Sequence, residues 1–292
     1  MLDLAQNTLD GLALGASYSL LALGFTLIFG VLRRMNLSYG PAILFGCYCA
    51  TWTHLNFGAG LIALALVTIV ATVLAGAYVE RLCFAPHRAG SAVAAMVGSF
   101  ALWMQIEEAA TLMMPRHIYA FPQLFDEPLQ FSGLTLRPEA LVMIAATIVV
   151  CALVHHLLYR SRFGLAVRAA IDNPLAASLA GINLARTFVL VFALASAIGG
   201  LAGYLIVASH GQVTPMLGMW STLKGLLAMM LGGLGSLPGA IIGGLALGLI
   251  EAHSQWFLGP QARDLVAYLL LFALLAARPA WMTRWTTTRS AS

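Results

Sequence analysis

Lys224 is the only lysine of the chain, and it stands inside the apolar run "WSTLKGLLAMML". Glu251 closes a second run, "MLGGLGSLPGAIIGGLALGLIE" (230–251), and Glu107 and Glu108 interrupt a third, "WMQIEEAATLMM" (103–114). In a bilayer such residues cost at least about 2.5–3.5 kcal/mol at the centre, so a charge kept there is a functional candidate. Lys224 and Glu251 are expected to meet near the outer side, because one segment leaves that side as the other returns to it. A purely structural pair, or snorkelling of Lys224, is the competing explanation. Glu107 and Glu108 diverge by about 100° on a helix, so they cannot share one small site, and at least one must face water or a polar cavity. His155 and His156 stand beside Tyr159 and Arg160. Adjacent side chains diverge and no third ligand follows at helical spacing, which favours interface histidines over a metal or catalytic pair. Ser, His and Asp are too sparse in the apolar runs to assemble a triad. No G-x-x-x-x-G-K-[ST] occurs, so no cofactor is expected on this chain, and any ATP must be used by a partner subunit.

These residues must be positioned by membrane elements. Apolar residues make up 61% of the 292, charged residues 9%, and mean hydropathy is +0.89, which is too little charge for a water-facing body. A soluble domain carries roughly 25% charged residues. The pI near 9.0 would fit a nucleic-acid partner, but the basic residues are scattered between apolar runs, where they set orientation, so no nucleic acid is expected. Cys47, Cys49, Cys83 and Cys151 form no metal or C-x-x-C spacing and read as small apolar fillers. The start, "MLDLAQNTLDG", is acidic and unlike a signal peptide, so no cleavage is expected.

A span needs about 20 mostly apolar residues. The candidates are 9–32, 38–57, 60–79, 91–114, 138–158, 187–208, 217–235, 237–257 and 263–280. The second is short and the seventh and eighth share a glycine-rich turn, so about eight to ten crossings are possible and about nine are favoured. The expected fold is an all-α, polytopic transmembrane helical bundle forming a single domain over 1–292. With the N-terminus outside and the C-terminus inside, nine spans place Arg33, Arg34, Arg81, Arg88, Arg160, Arg162, Arg168, Arg186, Arg278, Arg284 and Arg289 inside. Only Arg116, Arg137 and Arg263 fall outside, and the reverse orientation would invert that bias. Asp3, Asp10, Asp126, Glu127 and Glu139 also fall outside, though carboxylates weigh little in this rule.

Two loops are long. The outer one, 115–139, is rich in Pro and aromatics and can pack as a lid or receive an external partner. The inner one, 159–186, reads as two short helices. Asn173 caps the second, Pro174 occupies its first position and Gly181 ends it. Ala176, Ala177, Leu179 and Ala180 give that helix a small apolar face, suited to a groove on another protein or to its own bundle.

The run 230–251 carries seven glycines and a proline in 22 positions, a poor composition for a helix in water. Gly235, Gly239 and Gly243 recur every four residues, and Gly244 and Gly248 repeat that spacing. Ala195, Gly199 and Gly203 do the same, as do Gly11 and Gly15. In lipid, close backbone contact drives helix pairing, and small residues at this spacing permit it. They also suit helices that slide, and "GGLGSLPG" can break a span beside a cavity.

Several separated stretches follow one pattern in order. "GLALGASYSLLALGFTLIFGVLRRMNLSYG" (11–40), "ERLCFAPHR" (80–88), "FGLAVRAAIDNPLAASLAGIN" (163–183), "LKGLLAMMLGGLGSLPGAIIGGLALGLIE" (223–251) and "ARPAW" (277–281) are similar to the permease subunits of branched-chain amino-acid ABC importers, the LivH type. The resemblance covers nearly the whole chain. It implies a subunit of the bacterial inner membrane that pairs with a second related permease and two cytoplasmic ATP-binding subunits, and that receives substrate from a periplasmic binding protein. Loop 159–186 would be the ATPase-coupling segment, with Arg168, Ala169, Asp172, Ala177 and Gly181 on the family's pattern. Asn36, Tyr39 and Gly40 join Lys224, Gly235, Gly239, Gly243 and Glu251 as the candidate translocation and gating set.

The chain departs from the family after the first span. Where the family reads Asn-Phe-Ala-His-Gly and then an acid, this chain reads "NLSYGP", with Tyr39 for the histidine and Pro41 for the acid. A phenol removes a group that titrates near neutrality, and the proline bends or restarts the helix. The cargo is therefore open among branched-chain amino acids, urea, short amides and aromatic acids. Two rival classes remain: a secondary transporter or channel built on the membrane charges, and an intramembrane enzyme using His155 and His156 or Glu107.

Overall fold

The computed structural model describes residues 2–87, 91–115, 118–125, 129–131 and 134–277. Arg88, Arg116, Asp126, Glu127, Arg278, Arg284, Arg289 and most of the "ARPAW" ending lie outside the described residues. Each of the nine apolar segments coincides with one helix. In chain order these are α1 (Leu2–Leu32), α2 (Tyr39–Phe57), α3 (Leu61–Val79), α4 (Ala92–Met113), α5 (Pro138–Arg160), α8 (Leu184–His210), α9 (Met216–Gly232), α10 (Leu237–Leu258) and α11 (Ala262–Ala277). The short helices α6 (Arg162–Asp172) and α7 (Pro174–Leu179) lie between α5 and α8. The fold is all-α. Five helices among the described residues (α1, α3 with its extension, α5, α8 and α10) are long and apolar enough by themselves to cross a bilayer.

Local chemistry sets the boundaries. Pro41 lacks the N–H that an inner helical position needs, so it is tolerated only in the first turn, and α2 starts anew two residues before it. The Asn36 Oδ1 accepts from the Ser38 backbone N–H at 3.1 Å, closing the turn between α1 and α2. Ser91, Asn183 and Ser236 each accept a backbone N–H at the start of α4, α8 and α10. The α9–α10 connection needs two left-handed-side residues, Gly233 (φ 99°) and Gly235 (φ 81°), which only glycine adopts without strain. Gly235 is therefore a turn residue, not the first member of a helical glycine face. Helix α9 stops at Gly232 for the same reason, three residues short of the expected span.

α1 runs antiparallel to α10; α8, α9 and α5 flank α1, α9 and α11 flank α10, and α2 packs on α3, α8 and α9. Tyr18, Leu20, Leu21, Tyr39, Ile43, Leu44, Phe84 and Phe192 are fully or almost fully buried in that core. The glycine seams are where the backbones touch. A methyl on Gly248 would land on the Gly15 backbone, one on Gly244 on Ser19, and one on Gly15 would come 2.7 Å from the Leu245 Cα. Across the α9–α10 turn, Gly239 abuts Gly232, and Gly243 abuts Ala228 and Gly232. These contacts supply the packing that lipid cannot drive.

Two departures from the sequence pattern concern the ends. α3 continues through a π-helical turn, Glu80–Phe84. The 115–139 loop contains a two-residue strand, β1 (Tyr119–Ala120), paired antiparallel with β4 (Gln212–Val213) between α8 and α9, and a hairpin of β2 (Leu129–Phe131) and β3 (Leu134–Leu136). Strands this short leave no periodicity to read. Phe121 is buried against Tyr204, and its N–H donates to the Gly211 carbonyl at 2.9 Å, so this part of the loop is folded onto the bundle.

Candidate functional site

Lys224 lies on the third turn of α9, Glu251 two turns before the end of α10, and Arg263 and Asp264 open α11. The Lys224 Nζ donates to Glu251 Oε1 at 2.6 Å and to Asp264 Oδ1 at 2.8 Å. Glu251 Oε2 accepts from Arg263 Nε at 3.0 Å and from the Tyr18 hydroxyl at 2.6 Å, while Arg263 Nη2 donates to the Tyr18 oxygen at 2.8 Å. Lys224 and Glu251 have no exposed side-chain surface, so two cations and two carboxylates form a neutral cluster around a tyrosine. The Lys224 Nζ also stands 5.9 Å from the ring centroids of Tyr18 and Tyr268.

The expected Lys224–Glu251 pair forms. Sequence reasoning missed the three other members. By its place in the sequence Arg263 is a loop charge, but two adjacent charges before a final apolar run also signal a helix start at a polar depth, which is the signal for Arg263 and Asp264. Tyr18 carries no sequence signal beyond being a hydroxyl in an apolar helix.

A pocket of about 270 Å³ opens beside this cluster, between α8, α9 and α11. Val207, Trp220, Leu223 and Tyr268 line its apolar side, and Arg263 and Asp264 its charged side.

The other candidates occupy different places. Asn36 is buried in the α1–α2 turn. Tyr39 is buried, donates to the Ala195 carbonyl at 3.0 Å and packs edge-on against Phe25 at 4.6 Å. Gly24 and Gly199 leave the room its ring needs. Gly40 meets the Gly218 carbonyl and Thr222 of α9. Asn36 and Tyr39 thus pack in the α1–α2 turn and against α8, Gly40 packs on α9 two residues from Lys224, and none of the three is bonded to the charge cluster among the described residues. Gly239 and Gly243 sit on the α9–α10 seam, and Gly235 in the turn below it.

In the 159–186 loop the capping is as expected: the Asn173 Oδ1 accepts from Leu175 and Ala176 N–H at 3.1 Å each, and Gly181 takes φ 85°. Of the expected small apolar face, Ala176, Leu179 and Ala180 are exposed and Ala177 alone is not. Ala177 is buried against the chain's own bundle, whereas Leu175 and Leu179 are 71% and 82% exposed on the opposite side of α7. Leu165 of α6 is exposed as well, while Gly164, Val167 and Ala170 face inward. Arg168 is exposed with its guanidinium 5.4 Å from the Tyr159 ring centroid; Ala169 is half-buried and Asp172 exposed.

Trp103 Nε1 donates to Glu107 from the preceding turn of α4, and Glu108 is exposed, so the two carboxylates do diverge. His155 and His156 are both exposed, His155 resting on Tyr159 with ring centroids 4.6 Å apart. Among the described residues no group of three His, Cys, Asp or Glu side chains converges on a metal position.

Residues 7–275 match the family model of the branched-chain amino acid transport system permease component. The chain is 30% identical over 288 residues to the high-affinity branched-chain amino acid transport system permease protein LivH of Escherichia coli K12, covering 94% of this chain and 93% of that one. It is 29% identical over 287 residues to the corresponding protein BraD of Pseudomonas aeruginosa, with 94% of both chains covered. Among solved structures, it is similar to a metal-chelate type ABC transporter in an inward-facing conformation, with a TM-score of 0.55 and 17% identity over 93% of this chain and 86% of that one. PsaBC of Streptococcus pneumoniae gives a TM-score of 0.52 at 12% identity, covering 91% and 89%. At these identities the structural likeness speaks for the fold alone.

Proposed function

The chain belongs to the family of permease components of branched-chain amino acid transport systems, a transport component rather than an enzyme, and from that premise we propose that it is the membrane subunit of an ATP-driven importer. Its cargo is a branched-chain amino acid or a related small amino acid or amide. It moves that cargo by alternating access, in partnership with a second related permease, two cytoplasmic ATP-binding subunits and a periplasmic binding protein, in the bacterial inner membrane.

The observation that carries this reading is the α6–α7 segment. Two capped helices hold Leu165, Leu175 and Leu179 outward, on a chain that has no phosphate-binding loop of its own. Exposed leucines on a rigid, polar-capped loop fit a protein groove better than water. An ATPase docked there can push α5 and α8, the two helices the loop joins. The glycine seams let such a push be passed on as sliding between α1, α9 and α10, where bare backbones meet.

Membrane vesicles carrying the chain with all its partners should show ATP-dependent uptake, and vesicles carrying the chain alone none. Gradient-driven uptake by the chain alone would favour the second reading, a secondary transporter, for which the buried charge cluster is the supporting feature.

A further inference from the structure

The outward faces of α3 and α4 differ in kind. On α3 the exposed stripe Ile62, Leu66, Val70 and Leu74 is wholly apolar, as contact with lipid requires, and it ends at Tyr78, which is 42% exposed. Helix α4 turns Ala95, Ser99, Ile106 and Ala110 inward, packs mainly on α2, and leaves Gln105 and Glu108 exposed one turn apart on its other side. The Tyr78 hydroxyl donates to Gln105 Oε1 at 3.2 Å and so joins the two helices. The Gln105 Nε2 and the Glu108 carboxylate have no partner among the described residues, whereas the neighbouring Glu107 is half-buried and held by Trp103. Snorkelling does not relieve Glu108. It lies more than one turn before α4 ends at Met113, its side chain is short, and helical side chains lean toward the N-terminus, away from that end. Helix α4 has the length of a span, 22 residues, yet it is not among the helices apolar enough to cross a bilayer by themselves. A carboxylate and a free amide on the outer surface of a span need water or a polar neighbour, and water stays there only where a second protein wall shuts out lipid.

We infer that the second permease covers this face of α4, and that Tyr78, Gln105 and Glu108 border a water-filled gap between the two subunits. The inference rests on the importer reading and assigns a face to a partner which that reading names only by kind. Lipid covers the α3 stripe and stops at Tyr78. Tyr78 is a positioning residue: by taking the Gln105 carbonyl oxygen it leaves the amide hydrogens of Gln105 for the gap. Glu108 keeps its charge because the gap is wet, and Glu107, already bonded to Trp103, faces away from it.

The test uses the importer assembled from both permeases and both ATPases in lipid nanodiscs. A thiol attacks a methanethiosulfonate as the thiolate, which forms in water and not in hydrocarbon. Glu108→Cys should therefore react with a charged methanethiosulfonate well above the rate of the unsubstituted chain, whose cysteines are buried or half-buried. Leu74→Cys, on the apolar stripe, should not. Ala101 is exposed on the same side of α4 as Glu108, and a benzophenone attached to Ala101→Cys should capture the second permease on illumination. In proteoliposomes supplied with the binding protein, Glu108→Trp, which fills the gap, should abolish ATP-driven uptake while the complex still assembles and hydrolyses ATP. Leu74→Trp should leave uptake intact. An unreactive Glu108→Cys, benzophenone adducts with lipid or an ATPase only, or undiminished uptake by the Glu108→Trp complex each overturns the assignment. Thiol reactivity and benzophenone capture are read without turnover, so they stand apart from the importer reading, which falls if the wild-type complex shows no ATP-driven uptake.

Discussion

The α1–α9–α10 seam and the α6–α7 loop solve opposite problems. In the seam, backbones touch at Gly15, Gly244 and Gly248, and the buried charges of Lys224 and Glu251 satisfy each other, with Arg263 and Asp264 of α11 completing their bonds. Almost any change there removes a partner or inserts an atom where none fits. In the loop, the groups that hold the helices in shape face inward or cap the ends, and the large apolar side chains point away from the chain. A region whose side chains serve the fold should report in stability; one whose side chains serve a partner should report in coupling alone.

The comparison breaks most readily at Glu251. Glu251→Gln leaves Lys224 with Asp264 and Arg263 with only the Tyr18 hydroxyl, and removing one partner of a buried pair costs about 3–5 kcal/mol. A large fall in thermal stability of the detergent-solubilised protein is the expected result. Adding Lys224→Met restores neutrality and should recover part of that loss, which a double-mutant cycle will measure. Gly248→Val comes next: the side chain would force α10 off α1, at about 3 kcal/mol, and should lower the yield of assembled complex. Asn173→Ala removes an N-cap and should cost about 1 kcal/mol, read as faster local hydrogen exchange over 174–180 with the bundle unaffected. Smallest in stability is Leu179→Ser, within about 0.5 kcal/mol of wild type. The same variant should nonetheless uncouple ATP hydrolysis from uptake. If its thermal midpoint fell as far as that of Glu251→Gln, the division between the two regions would be wrong.

Most helices were legible because apolar runs of span length, interrupted by Gly, Pro or paired arginines, leave few alternatives. The caps at Asn173 and Pro174 were legible because capping is local chemistry. The Lys224–Glu251 contact followed from two isolated charges on consecutive antiparallel segments. The face presented by α7 was legible at Ala176, Leu179 and Ala180 but not at Ala177 and Leu175: in a six-residue helix made largely of alanine and leucine, only the direction of the neighbouring bundle decides that Ala177 turns in and Leu175 out. Gly235 was misplaced because a four-residue glycine spacing is the same on paper whether or not the helix has begun. Tyr18, Arg263 and Asp264 joined the cluster through contacts between residues as many as 245 positions apart, which no local pattern encodes.

A chain with one lysine, wholly enclosed by two carboxylates and two aromatic rings, has a practical property. Amine-directed reagents should leave Lys224 unmodified while the protein is folded, and reach it when α9, α10 and α11 part. Acylation of Lys224 is therefore an internal gauge of that separation, available without introducing a probe.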